Sequence, residues 1–138
     1  MNKKYERYIE YIVNDLQPPY FFNMKEMYGV SEKEYPLVLS KLFNQPVIIE
    51  GRDVYNTNGN EIYQEYSDGF WYKKEYDSNG NEIYYENSTG YWKKYEYDQY
   101  GNKIYYENSD GEWYKKKYDI YGNIIYYENS YGEIIDNR

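Results

Sequence analysis

Three kinds of residue in this chain have the types and spacing for chemistry. Asp77-x-Asn79-Gly80-Asn81 offers oxygen ligands in the manner of a calcium loop. The glycine falls two places early for such a loop, however, and the twelfth position is Ser88 rather than Glu. The next two copies place Tyr100 and Tyr121 where Asn79 stands, so turn-forming accounts for these residues without an ion. Glu82 and Glu86 have the pairing that glycoside hydrolysis uses, yet every copy repeats the arrangement, and a repeated feature is structural before it is catalytic. Asn87-Ser88-Thr89 fits a glycosylation acceptor but is most simply a turn. The chain has no histidine and no cysteine, which removes the usual general base, the commonest zinc ligands, thiolate chemistry and disulfides. A non-enzyme without metal or cofactor is expected.

The remaining pattern is suited to contact. Trp71, Trp92 and Trp113 recur in step, as do Tyr85, Tyr106 and Tyr127, and Glu65, Glu86, Glu107 and Glu128. Tyr and Trp supply large, rigid contact area at low entropic cost, so these rows are the candidate binding residues. The glutamates, with the turn row Asp77, Asp98 and Asp119, form acidic lines whose neighbouring members lie two strands apart, about 10 Å, with lysines between. That spacing is too sparse to imitate duplex phosphates, which favours steric blocking over DNA mimicry.

The elements that position these residues follow from the period. Gly-Asn recurs at 59/60, 80/81, 101/102 and 122/123, a second glycine at 69, 90, 111 and 132, and isoleucine at 62, 83, 104 and 125. Each 21-residue unit holds two turns, Asp-x-x-Gly-Asn and Asn-Ser-x-Gly, separated by five to seven residues rich in Tyr, Trp and Ile. Each unit therefore reads as a β-hairpin. Linked hairpins predict an antiparallel meander of roughly eight or nine strands in chain order. Pairing Asp77 with Asn81 sets Trp71, Lys73 and Glu75 on one face with Ile83, Tyr85 and Asn87, and puts Lys74 beside Glu82 and Glu86. Because 21 is odd, returning Trp92 to the face of Trp71 requires one loop of odd and one of even length.

Before residue 47 the pattern changes. Tyr5, Tyr8, Ile9, Ile12, Val13 and Leu16 mark an amphipathic helix that stops before Pro18-Pro19. A second helix is expected over 23–28 and a third from near Pro36 to Phe43, with Ser31 and Glu34 able to form a capping box if it starts earlier. The predicted fold class is α+β: a helical cap over 1–46, and over 47–138 an antiparallel β-meander of tyrosine-rich hairpin repeats. Gly29-Val30-Ser31 is similar to the turn of a helix-turn-helix, but the adjoining segment offers only Lys33 and Lys41 among acidic residues.

The units resemble the YD-repeat, or Rhs-type, family. Tyr76-Asp77 with Gly80-Asn81 and Ile83, Tyr97-Asp98 with Gly101-Asn102 and Ile104, and Tyr118-Asp119 with Gly122-Asn123 and Ile125 carry the resemblance, with Tyr55-Asn56 a degenerate first copy. It covers about two thirds of the chain and implies stacked β-hairpins. It also implies long chains that wrap a cargo, which fewer than four units do not close.

The 138 residues include 25 tyrosines and carry a formal charge of −8. Residues 51–138 hold 17 acidic and 10 basic side chains, so the acidity lies with the repeats and favours a partner with a basic surface over nucleic acid. No apolar run is long enough for a membrane span or signal peptide, and a cytoplasmic location is expected. As a whole chain, the composition resembles small phage-type inhibitors of host defence such as anti-CRISPR proteins. The leading expectation is accordingly a protein-binding inhibitor or adaptor, with homodimerisation open. A carbohydrate- or surface-binding repeat module and a DNA-binding regulator are the alternatives.

Overall fold

A positive backbone φ at regular intervals organises this chain. In the computed structural model, which describes residues 3–138, Gly80, Gly101 and Gly122 have φ of 83°, 84° and 84°, and the glycines of the second turn series adopt the same region. Each closes a three-residue loop. Asp98 and Asn102 are joined by the Asp98 N–H to Asn102 carbonyl bond (2.9 Å), and Gly101 N–H donates back to the Asp98 carbonyl (3.1 Å). Asn108 and Glu112 bracket the other loop in the same way. The left-handed glycine at the end of such a loop lets the strands meet without splaying.

Side chains finish the turns. Asp98 Oδ1 accepts the N–H groups of Tyr100 (2.9 Å) and Asn102 (3.0 Å), and its Oδ2 accepts the Asn102 side-chain amide. Asp77 and Asp119 make equivalent bonds, and Asn56 does so in the first copy through its amide oxygen. Asn108 and Asn129 play this part at the opposite turns. The tyrosines before Asp98 and Asp119 reach back to the preceding hairpin. The Tyr97 hydroxyl donates to the Glu82 carbonyl (2.7 Å), and the Tyr118 hydroxyl to the Lys103 carbonyl (3.2 Å).

Three helices precede ten strands among the described residues. The helices are α1 (Lys3–Asp15), α2 (Tyr20–Glu26) and α3 (Tyr35–Leu42), with a single 3-10 turn, Glu32–Glu34, before α3. The strands are β1 (Ile48–Glu50), β2 (Asp53–Tyr55), β3 (Glu61–Glu65), β4 (Trp71–Tyr76), β5 (Glu82–Asn87), β6 (Trp92–Tyr97), β7 (Lys103–Asn108), β8 (Trp113–Tyr118), β9 (Ile124–Asn129) and β10 (Ile134–Asp136). They hydrogen-bond in chain order as an antiparallel meander. The fold is α+β, as the sequence predicts, with more strands than expected because β1, β2 and β10 are only three residues long.

The register corrects the expected one. Tyr97 does oppose Lys103, but one step further Glu96 opposes Tyr105, then Tyr95 opposes Tyr106 and Lys94 opposes Glu107. Ile104 is thus an extra, bulged residue, and Ile125 and Ile62 occupy the same slot in their hairpins. The regular isoleucine marks the bulge. Both loops of a unit have three residues, so the bulge, rather than an even-length loop, restores each tryptophan to its face. In consequence the tryptophans lie opposite glutamates, Trp92 with Glu86 and Trp113 with Glu107, and not on the face of Tyr106 and Asn108. Lys74 does pair with Glu82, at 3.6 Å.

The chain divides into two compact units, one ending at Tyr72 and the other Lys73–Arg138. In the first, Ile9 and Ile12 of α1 and Leu16 just after it are buried with Tyr20, Phe21, Met24, Val38, Leu39, Val54, Ile62 and Tyr63. α2 starts at Tyr20, three residues before the expected position, because Pro19 with its extended ψ of 122° serves as the N-cap. Ser31 and Glu34 form only part of a capping box: Ser31 is the N-cap of the 3-10 turn and Glu34 reaches back to it, but the Ser31 side chain does not cap the turn's N–H groups. The Ser31 hydroxyl donates instead to the Glu34 carboxylate (2.6 Å), which Tyr5 also engages. In the second unit no apolar side chain is buried among the described residues, and its half-buried rings are held by ring-to-ring and ring-to-lysine contacts within one layer.

Gly101→Val is expected to lower stability by more than about 1 kcal/mol, since valine strains at this φ; equilibrium urea unfolding against wild type measures it. The Asp77 and Asp119 carboxyls are held below the usual range chiefly by the backbone N–H groups of Asn81 and Asn123. A lowered folded pKa gives stability that is present above the ordinary aspartate value of about 4 and is lost as pH falls through the lowered one. Replacing Asp77, Asp98 and Asp119 together with Asn, the residue that already serves at position 56, should keep the sheet and flatten the acid limb of a Tm-versus-pH curve.

Candidate functional site

Register assigns the side chains of the second unit to two faces. Across the strands, Tyr84, Lys94, Glu107 and Trp113 form one row, and Glu96, Tyr105, Lys115, Glu128 and Ile134 the next. This face also carries Glu86 opposite Trp92. Lys94 lies over the ring of Trp92, Nζ 4.9 Å from its centroid, and Lys115 over Trp113 at 5.3 Å. A shallow groove of about 780 Å³ crosses this face, lined in part by Glu75, Tyr84, Lys94, Tyr105 and Glu107. We call it the tryptophan face.

The other face holds a stack of tyrosines. Tyr95 and Tyr106 are 5.3 Å apart between ring centroids, Tyr106 and Tyr114 5.3 Å, and Tyr114 and Tyr127 6.3 Å. The Asn108 and Asn129 side-chain amides, both buried, donate to the hydroxyls of Tyr106 (2.9 Å) and Tyr127 (3.1 Å), and Asn87 to that of Tyr85 (3.3 Å). Thus the structure splits the candidate binding residues. Trp92, Trp113, Glu86, Glu107 and Glu128 share one face, while Tyr85, Tyr106 and Tyr127 belong to the opposite ladder and hold the asparagine turns in place.

Glu65 and Trp71, the first members of their rows, have a different setting. Glu65 is 4% exposed, and its carboxylate accepts the N–H groups of Phe21 (2.9 Å) and Phe22 (3.0 Å) at the start of α2, with the Tyr63 hydroxyl donating to it at 2.5 Å. Tyr63, fully buried, accepts the Tyr20 N–H (2.9 Å) on that same hydroxyl and stacks on Trp71, 6.4 Å away. Burial, reinforced by the neighbouring Glu65, raises the Tyr63 phenol far above its ordinary value, which keeps it a neutral donor. Glu65 is therefore no surface residue. It caps a helix whose first N–H groups have no intrahelical partners. Sequence reasoning found Glu65 but not its capping role, because Pro19 gives α2 no capping side chain of its own and the acceptor comes from a distant strand.

The same Tyr-x-Glu bond recurs at the surface. The Tyr126 hydroxyl donates to Glu128 at 2.9 Å and Tyr105 to Glu107 at 3.3 Å. Glu128 raises the Tyr126 phenol through that bond, and burial followed by Glu107 raises that of Tyr105. The aspartates of the suspected calcium loops are committed to turn N–H groups. A second groove, of about 1020 Å³, lies in the first unit beside Phe21, Phe22, Tyr35, Arg52, Glu65 and Tyr66.

Fold and faces together define a β-hairpin repeat protein with helices before its sheet. No protein-family model and no curated protein matches the chain. Among solved structures it is similar to the Photorhabdus luminescens Tc holotoxin pore, with 15% identity, a TM-score of 0.35 and 73% of this chain covered; it spans 6% of that chain. No helix among the described residues is long and apolar enough to cross a membrane.

Glu65→Ala is expected to cost about 3 kcal/mol, because it leaves two backbone N–H groups and a buried phenol without their acceptor. Thermal unfolding followed by circular dichroism should show the loss, and Glu86→Ala, at the half-exposed copy, should change Tm little.

Proposed function

We propose that the chain is a non-enzymatic protein-binding module that blocks a partner with the tryptophan face of Lys73–Arg138. The observation that carries this reading is a single layer of sheet with no buried apolar side chain, whose tryptophans and paired tyrosines remain half-exposed. Residues 73–138 hold 13 acidic and 9 basic side chains, which favours a basic partner and speeds encounter with it. The repeated Tyr-Asp-x-x-Gly turns support placing these hairpins with YD-repeat proteins. Composition alone supports a target in host defence, as for anti-CRISPR proteins, so the proposed partner is specified only as a protein with a basic surface.

The alternatives have less support. A sugar stacks on an open indole face, but Lys94 and Lys115 lie over those of Trp92 and Trp113. A DNA-reading helix needs basic side chains, whereas Lys33 sits in the 3-10 turn between Glu32 and Glu34, which leaves Lys41 as the one cation of α3.

Affinity capture from host extract, followed by binding kinetics with the captured protein, tests the proposal. Trp92→Ala with Trp113→Ala should speed dissociation about tenfold or more, while added salt lowers mainly the on-rate. Binding that survives both tryptophan changes, but is abolished by Lys33→Ala with Lys41→Ala, would overturn it in favour of the helices.

A further inference from the structure

The first copy of the repeated trio shows what the trio holds. Tyr63 and Glu65 together take the N–H groups of three successive residues, Tyr20, Phe21 and Phe22, and the rings of Tyr20 and Phe21 lie 4.8 Å and 6.2 Å from that of Tyr63. Trp71 stacks on the same tyrosine. What is bound is the first turn of a helix, delivered behind Pro19 and carrying aromatic side chains. A carboxylate suits that turn because unpaired N–H groups and the helix dipole place partial positive charge there.

Twenty-one residues on, and again after each further period, the same groups reappear as Tyr84, Glu86 and Trp92, then Tyr105, Glu107 and Trp113. A fourth copy, Tyr126 and Glu128, has Ile134 in the tryptophan slot. The internal bond from tyrosine to glutamate is already formed at the third and fourth copies, as it is in the first. Even the cation across the ladder is kept: the Glu65 N–H bonds the Arg52 carbonyl, and Lys94 stands opposite Glu107. These later copies are half-exposed where Tyr63 and Glu65 are buried.

We infer that Tyr84–Glu86–Trp92 and Tyr105–Glu107–Trp113, with the weaker Tyr126–Glu128–Ile134, are docking sites for the first turn of a partner protein's helix that begins with proline followed by aromatic residues. This rests on the tryptophan face being the working surface and names the chemistry it reads. Affinity comes from two or three backbone N–H groups donated to one carboxylate and one phenol, and selectivity from the ring that packs on the tyrosine. Copies at a fixed spacing let a partner with two such helices bind at two points.

The test uses the full chain and a helix-stapled synthetic peptide of the sequence of residues 16–28, titrated by calorimetry. Saturable binding is expected. It should weaken about tenfold in the variant Glu86→Gln, Glu107→Gln, Glu128→Gln, consistent with loss of charged hydrogen bonds. It should weaken likewise when the peptide is N-methylated at its two phenylalanine nitrogens, and be unchanged by Tyr106→Phe on the opposite face. Circular dichroism of the glutamine variant confirms that the sheet is intact. Absence of saturable binding, or binding equal in the glutamine variant and with the N-methylated peptide, overturns the inference. A captured partner that depends on Trp92 and Trp113 but is indifferent to the three glutamates overturns it too, while leaving the tryptophan face as the binding surface.

Discussion

A side chain that points to one face of a sheet must point to that face again one repeat later, and an odd period makes this impossible for regular strands joined by two three-residue loops. The bulge at Ile104 and its equivalents removes the conflict by shifting register one step inside every hairpin. Everything specific to the surface depends on it. With the bulge, tryptophan meets glutamate and the tyrosines stack among themselves; without it, alternate repeats would present opposite faces and neither row would exist.

The turns make that arrangement repeatable with few aliphatic side chains. The three-residue loops are fixed by a left-handed glycine and, except at Tyr66–Phe70, by an Asp or Asn whose side chain accepts N–H groups of the loop. The tyrosines before Asp98 and Asp119 tie one hairpin to its predecessor through a carbonyl. Stability in Lys73–Arg138 is thus distributed over local hydrogen bonds and ring contacts, and no apolar core is needed to hold the layer. The first unit works differently, since its helices bury an apolar core and rely on Glu65 for the start of α2. One sequence motif therefore serves as internal scaffold where a helix covers it and as surface where none does.

Much of the architecture was legible in the residues themselves. The period, the positions of both turns, the sign of φ at the glycines and the existence of α1 follow from local chemistry: proline, glycine and Asp/Asn act within a few residues of themselves, and a 3.6-residue apolar repeat shows in the chain. The extent of α2 was not legible, because its cap is a proline and its N–H acceptors come from Tyr63 and Glu65, more than forty residues away. Of the candidate binding residues, each row does recur with the period, but the expected register set the glutamates on the face opposite the tryptophans and Tyr85 on the tryptophans' own face, and the structure reverses both.

Only the tertiary structure decided the register. A bulge leaves no mark in a hydrophobic pattern beyond one isoleucine in a fixed slot, and that isoleucine reads as an ordinary strand residue until its neighbours across the ladder are known. Nor could period distinguish Glu65 from Glu86, Glu107 and Glu128, since the four sit in nearly identical local sequence. Their difference is which other part of the chain lies against them. The sequence by itself determined a repeating hairpin with two chemically distinct rows; long-range packing determined which face each row takes and which copy is a buried cap rather than surface, because burial depends on contacts between residues that no local spacing encodes.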